Sequence, residues 1–333
     1  MQETVLEVDN LTTAFKLKKG WLRAIEEIGF VLRRNETLAL VGESGCGKSV
    51  TAFSIMRLLP EPGSRVETGR IVLNGRNLLD LTEADMRSVR GNQLAMIFQE
   101  PMTSLNPVLT IGRQVAEALF YHRQMSWKGA GEKALDLLEQ VKIPSAASRL
   151  NDYPHQLSGG MRQRVMIAMA LACQPEIILA DEPTTALDVT IQAQVLALMA
   201  DLKTQRQMSM IFITHDLGVV AMIADRVAVM YAGHIVEMAA VGELFQHPVH
   251  PYTEALLKSI PRLDRSTQEV FPIRGTVPPI DRMPVGCRFA ERCDHRIDIC
   301  TRRNAELLAW QQKDDHLVRC WVKGDDSPEV SNA

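Results

Sequence analysis

Short apolar runs alternate with longer stretches of helical spacing along this chain, the rhythm of an α/β protein. Residues 37–41 (Thr-Leu-Ala-Leu-Val) form a run rich in strand formers, and 49–59 follow with helical spacing. Residues 94–98 predict a buried strand that ends at Gln99, before Glu100 and Pro101. The block 111–141 is mainly helical in pattern. A further helix opens at Ser158-Gly159-Gly160, where Val165, Met166, Ala168, Met169, Leu171 and Ala172 alternate with Arg162, Gln163 and Arg164. Apolar strands are predicted at 176–181 and 210–214, with a helix over 189–202 between them. Nearer the start, 5–8 and 28–32 are β-rich runs around a Lys-rich turn at 16–20, which suggests a small antiparallel sheet; 69–75 reads as a strand and turn.

The segment joining the strand at 37–41 to its helix is Gly42-Glu43-Ser44-Gly45-Cys46-Gly47-Lys48-Ser49, the phosphate-loop pattern G-x-x-x-x-G-K-[ST] in its strand-to-helix context. Gly42, Gly45 and Gly47 let successive N–H groups point inward as an anion nest, which the positive end of the helix reinforces. Lys48 would reach the β- and γ-phosphates and the Ser49 hydroxyl would be a ligand of Mg²⁺. The strand at 176–181 ends in Asp181 and Glu182. Two neighbouring acids after an apolar strand are costly without a cation, so Asp181 is expected to hold Mg²⁺ and Glu182 to act as general base. Gln99, at another strand end, could hold the metal or orient water, although on position alone an exposed loop glutamine is the better reading. His215 ends the strand at 210–214, where a histidine engaged by a helix cap is the plainer reading. Ser158 is expected to cap its helix, and Ser158-Gly159-Gly160 is a second candidate anion site. Phe15 or Trp21 could stack on an adenine, though a lone aromatic more often packs in a core.

Composition narrows the class. Among 333 residues, 46% are hydrophobic, enough for a full core, and 37 basic residues against 40 acidic ones argue against a nucleic-acid binder. No run of about 18 uncharged apolar residues occurs and the N-terminus lacks a signal-peptide pattern, so a cytosolic chain that does not itself span a membrane is expected.

The phosphate loop, Gln99, Leu157-Ser158-Gly159-Gly160, the strand with its two acids, Ala186-Leu187-Asp188 and His215 occur in the order and spacing of an ABC-type ATPase, which the chain resembles over about 4–245. The resemblance implies a RecA-like P-loop core with an antiparallel β subdomain and a helical signature subdomain at about 103–172. It implies ATP and Mg²⁺ as ligands, with Phe15 stacking on adenine and Gly42, Ser44, Gly45, Cys46, Gly47, Lys48, Ser49 and Val50 around the phosphates. Ser49, Gln99 and Asp181 become Mg²⁺ ligands, Glu182 the catalytic base and His215 the γ-phosphate sensor. Ser158, Gly159, Gly160 and Asp188 would face the nucleotide or the loop of a second ATPase subunit, a paralogue or a second copy, in a head-to-tail dimer. Separate membrane-spanning permease subunits are implied, docking near 99–107, with the chain peripheral at the cytoplasmic face of the inner membrane.

Beyond this domain (1–245), a C-terminal extension (246–333) begins with a His-Pro-Tyr-Thr segment (His250 to Thr253). With Phe98-Gln-Glu-Pro-Met-Thr-Ser-Leu-Asn-Pro107, it resembles the oligopeptide/dipeptide-permease group. That implies uptake of di- or oligopeptides delivered by an extracytoplasmic binding protein. Relatives in the group handle nickel, glutathione, D-amino-acid or antimicrobial peptides, and a soluble ABC ATPase is the other alternative. A Pro-rich connector (Pro261, Pro272, Pro278, Pro279, Pro284) leads to Cys287, Cys293, Cys300 and Cys320, spaced C-x₅-C-x₆-C-x₁₉-C. In a cytosolic protein such clustering points to metal ligation rather than disulfides. The spacing lacks the tight pairs usual for zinc, and the resemblance favours a [4Fe–4S] cluster, with zinc or four unligated thiols as alternatives.

Overall fold

The computed structural model describes residues 3–185, 187–259 and 273–323; Ala186 and the connector prolines Pro261 and Pro272 lie outside the described residues. The strands, in chain order, are β1 (Thr4–Leu17), β2 (Gly20–Arg33), β3 (Thr37–Val41), β4 (Ser64–Leu73), β5 (Arg76–Asn77), β6 (Leu94–Ile97), β7 (Ile177–Asp181), β8 (Ser209–Thr214), β9 (Arg226–Tyr231), β10 (His234–Ala240), β11 (Leu308–Trp310) and β12 (Lys313–Val318). The chain divides into two compact units: Met1–Val5, Leu32–Glu36 and Asp80–Ile213 form one, and Leu6–Val31, Thr37–Leu79 and Thr214–Ala333 the other.

In the unit containing Asp80–Ile213, β6, β7 and β8 lie side by side in parallel. Every residue of these strands is buried, which is why they read as unbroken apolar runs rather than as alternating ones. The helices Ile111–Arg123, Trp127–Gln140 and Gly159–Leu171 belong to the same unit. Phe120 stacks on Trp127 at 4.3 Å between ring centroids, and Arg113 covers the same indole at 4.4 Å.

The other unit holds a sheet in the order β2-β1-β4-β5, with β1 antiparallel to β4 and β4 to β5. The small antiparallel sheet expected from 5–8 and 28–32 is present, with both strands longer than their apolar runs. A second group runs β11-β12-β10-β9-β3, parallel between β3 and β9 and antiparallel elsewhere. Thus the C-terminal region adds two strands to the sheet that carries the phosphate loop, and it also enters the core. Tyr231, Tyr252 and Phe289 form a three-ring cluster, with centroids 4.7 Å apart for Tyr231–Tyr252, 5.2 Å for Tyr231–Phe289 and 5.4 Å for Tyr252–Phe289. Each such pair contributes about 0.5–1.5 kcal/mol beyond the area buried. Among the described residues, no helix is long and apolar enough to cross a membrane.

Candidate active site

The loop after β3 turns through left-handed backbone at Gly42 (φ 152°), Gly45 (φ 78°) and Gly47 (φ 106°). At Gly42 the need is steric as well: a Cβ there would lie 2.2 Å from the Met230 carbonyl oxygen. Gly47 precedes the helix Lys48–Met56 with no side-chain cap, so the first-turn N–H groups keep their capacity for an anion. Lys48 is only 5% exposed, and its Nζ donates to the Gly42 and Glu43 carbonyls at 2.8 and 3.0 Å. Ser44 and Cys46 lie in the same loop, and Ser49 and Val50 in the first turn of the helix. Cys46 is fully buried, where desolvation raises its thiol pKa and makes it a packing residue rather than a nucleophile. Phe15 is half-buried in β1, and Trp21 is covered by Arg65 at 4.1 Å. His215 follows β8 and is exposed, while Asp216 caps the next helix.

The predicted acids sit at the carboxyl end of β7. Asp181 is 2% exposed and Glu182 follows with φ 44°, a left-handed conformation unusual for a side-chain-bearing residue. The Gln99 amide donates to Glu182 Oε2 at 3.0 Å, and the Thr185 hydroxyl donates to the same oxygen at 2.9 Å. Thr185 was not singled out from sequence; its place three residues after Glu182 in a tight turn was the available signal. Two donors on one oxygen hold the carboxylate in place at the end of β7.

Ser158 caps the helix Gly159–Leu171 by accepting the Met161 N–H at 3.4 Å, and Asp188 caps Val189–Arg206 by accepting the Ile191 N–H at 2.9 Å. The first turns of the two helices meet at Gly160, where a Cβ would stand 2.7 Å from Ile191 Cγ2.

Comparison with known proteins settles the family. Residues 25–185 match the family model described as ABC transporter, and 236–300 match oligopeptide/dipeptide transporter, C-terminal region. The oligopeptide transport ATP-binding protein AppD of Bacillus subtilis (strain 168) is 51% identical over 98% of this chain and 99% of its own. The dipeptide transport ATP-binding protein DppD of the same organism is 50% identical over 96% and 95%. This chain belongs to the ABC transporter ATP-binding subunits. It is therefore an ATPase of the ABC fold, with the antiparallel sheet and helical subdomain of that family. The dimeric ATP-binding cassette MJ0796 bound to ADP and Pi superposes with a TM-score of 0.64 at 27% identity, over 71% of this chain and 98% of that one. The transporter component cbiO1 of Clostridium perfringens, at 22% identity and a TM-score of 0.62 over 74% and 92%, shares the fold.

The ABC transporter subunit's C-terminal region gathers all four predicted cysteines. Cys287, Cys293, Cys300 and Cys320 line one small cavity, together with the apolar surfaces of Phe289 and Trp321 among others. The Cys287 N–H donates to the Cys300 carbonyl at 2.8 Å, pinning two of the loops together. Burial pushes the Cys287 thiol up to about 12 and raises Cys293 and Cys320 as well. Among the described residues, no group of three or more His, Cys, Asp or Glu is arranged to hold a metal ion. His316 of β12 is engaged away from these thiols. It donates from Nε2 to the fully buried Glu237 at 2.8 Å, and that carboxylate also accepts the Val249 and His250 N–H groups.

Proposed function

We propose that this chain is the ATP-hydrolysing subunit of a multi-subunit importer that takes up di- or oligopeptides. The observation that carries the cargo is the match of 236–300 to the oligopeptide/dipeptide transporter C-terminal region, together with about 50% identity to AppD and DppD across nearly the whole chain. In this reading 1–245 is the nucleotide domain and 246–333 the extension. Lys48 and the N–H groups of the loop bind the phosphates, Ser49, Asp181 and Gln99 hold Mg²⁺, and Phe15 stacks on adenine. Glu182 takes a proton from the attacking water, held for that task by Gln99 and Thr185, while His215 contacts the γ-phosphate. Mg²⁺ supplies charge neutralisation on the phosphates. Ser158, Gly159, Gly160 and Asp188 would serve a second ATPase subunit, and two permease subunits with an extracytoplasmic binding protein complete an assembly at the inner face of the membrane.

The extension is proposed to hold a [4Fe–4S] cluster. What supports it is that all four thiols line one apolar cavity, and as ligands they would bind as thiolates.

The test is reconstitution with the permease subunits in liposomes. ATP hydrolysis stimulated by peptide-loaded binding protein, with peptide accumulating inside, is expected. Hydrolysis without peptide dependence would overturn the cargo and leave the ATPase standing.

A further inference from the structure

Two side chains of the C-terminal region close on a single residue of the phosphate loop. Arg292 forks onto the Glu43 carboxylate, with Nη1 to Oε2 at 3.0 Å and Nη2 to Oε1 at 3.1 Å, and its side chain is only 7% exposed. The Tyr252 hydroxyl, fully buried, accepts the Glu43 N–H at 3.0 Å. The carbonyl of the same Glu43 accepts Lys48 Nζ. Glu43 is therefore gripped at its amide and its carboxylate by the C-terminal region, while its carbonyl holds the phosphate-binding lysine.

A parallel hold comes from one turn earlier. Arg288 donates to the Ala232 carbonyl and to Glu26, and the next N–H, that of Gly233, donates to the Cys46 carbonyl at 2.8 Å. Bidentate arginine–carboxylate pairs fix direction as well as distance, and the Arg292–Glu43 pair is backed by the Tyr231 and Phe289 rings at 5.6 and 5.9 Å from the guanidinium. We propose that Arg292 and Tyr252 are positioning residues for ATP binding, setting the phosphate loop and Lys48 through the Glu43 peptide. The inference rests on the ATPase reading and adds a task for the extension that does not depend on what its thiols hold.

The experiment measures steady-state ATP hydrolysis by the full chain across ATP concentrations for Arg292→Met, Arg292→Lys, Glu43→Gln, Tyr252→Phe and the double variant Arg292→Met/Glu43→Gln. KM for ATP is expected to rise about tenfold in Arg292→Met and Glu43→Gln, with kcat within about twofold. Arg292→Lys should recover part of the loss, Tyr252→Phe should show a smaller one, and the double variant should be no worse than either single change. Unchanged KM in Glu43→Gln, or single effects that multiply in the double variant, overturns the proposal. Glu43→Gln decides the matter alone if Arg292→Met does not fold, because the amide keeps the shape of the side chain and removes only its charge. A wild-type chain that hydrolyses no ATP even with its second ATPase and permease subunits present would instead sink the ATPase reading.

Discussion

The Gln99 side-chain amide donates to the Oε2 of Glu182 at 3.0 Å, tying the end of β6 to the end of β7 by one hydrogen bond. That bond turns a neutral glutamine into the support of an acid, so the pair should fail asymmetrically. Glu182→Gln removes the proton acceptor and should lower ATP turnover about 10²- to 10³-fold while ATP still binds. Gln99→Ala should cost less, because Thr185 still donates to the same oxygen. Phosphate release and fluorescent-nucleotide binding check both; equal losses would contradict that order.

Two glycines of one loop should respond differently to alanine. A methyl at Gly42 meets a backbone oxygen at 2.2 Å, whereas at Gly45 nothing lies within 4 Å and only the left-handed backbone is strained. Gly45→Ala is expected to cost about 1 kcal/mol, and Gly42→Ala well over about 2 kcal/mol because the loop must move. Chemical denaturation of the two variants gives the comparison, and similar midpoints would contradict it.

Acid should destabilise the unit that carries the loop. Desolvation lowers the pKa of buried His250 to about 4, against the upward pull of Glu237 and with the push of Lys323, and desolvation likewise lowers His234 to about 4. Moreover, His250 Nδ1 accepts the Tyr252 N–H at 3.1 Å, so the imidazole must be neutral there. Unfolded histidine titrates near pH 6.5, so below that pH the unfolded state binds more protons than the folded one. Stability should be full above about pH 6.5 and fall toward pH 4, by about 3 kcal/mol for each histidine at the limit. Thermal melts across that window test the slope, which His250→Asn should reduce; a flat profile would refute it.

Iron analysis tests the extension. Protein purified without oxygen should carry about four irons and four acid-labile sulfides, and Cys293→Ser should lose them while ATP binding persists. One zinc per chain would replace the cluster, and iron retained in Cys293→Ser would remove that thiol from the ligand set.

The nucleotide machinery was legible in the sequence because it lies in contiguous segments. β3, β7 and β8 are unbroken apolar runs, and Gly42 to Ser49 needs its residue types in order for a local backbone reason. The extension was legible only as chemistry. Its cysteines stand out by type, but β12 begins Lys313-Asp314-Asp315 and buries only His316 and Val318, too little alternation to predict a strand. Nor could Glu43 be assigned a partner, since no local pattern links an acid in a turn to an arginine in the tail. Tyr252 and Phe289 illustrate the same limit: as single aromatics they carry no address, and only the folded chain shows them on Tyr231.

Glu43 also has a history within each molecule. Its partners lie 209 and 249 residues further along the chain, so at about 5–20 residues per second a ribosome makes them some ten to fifty seconds after the loop itself. The strand and helix around the loop can form early, yet the loop's final setting must wait until Tyr252 and Arg292 have been made. A newborn chain thus sets this loop only after the strands and helices of its nucleotide domain have been made.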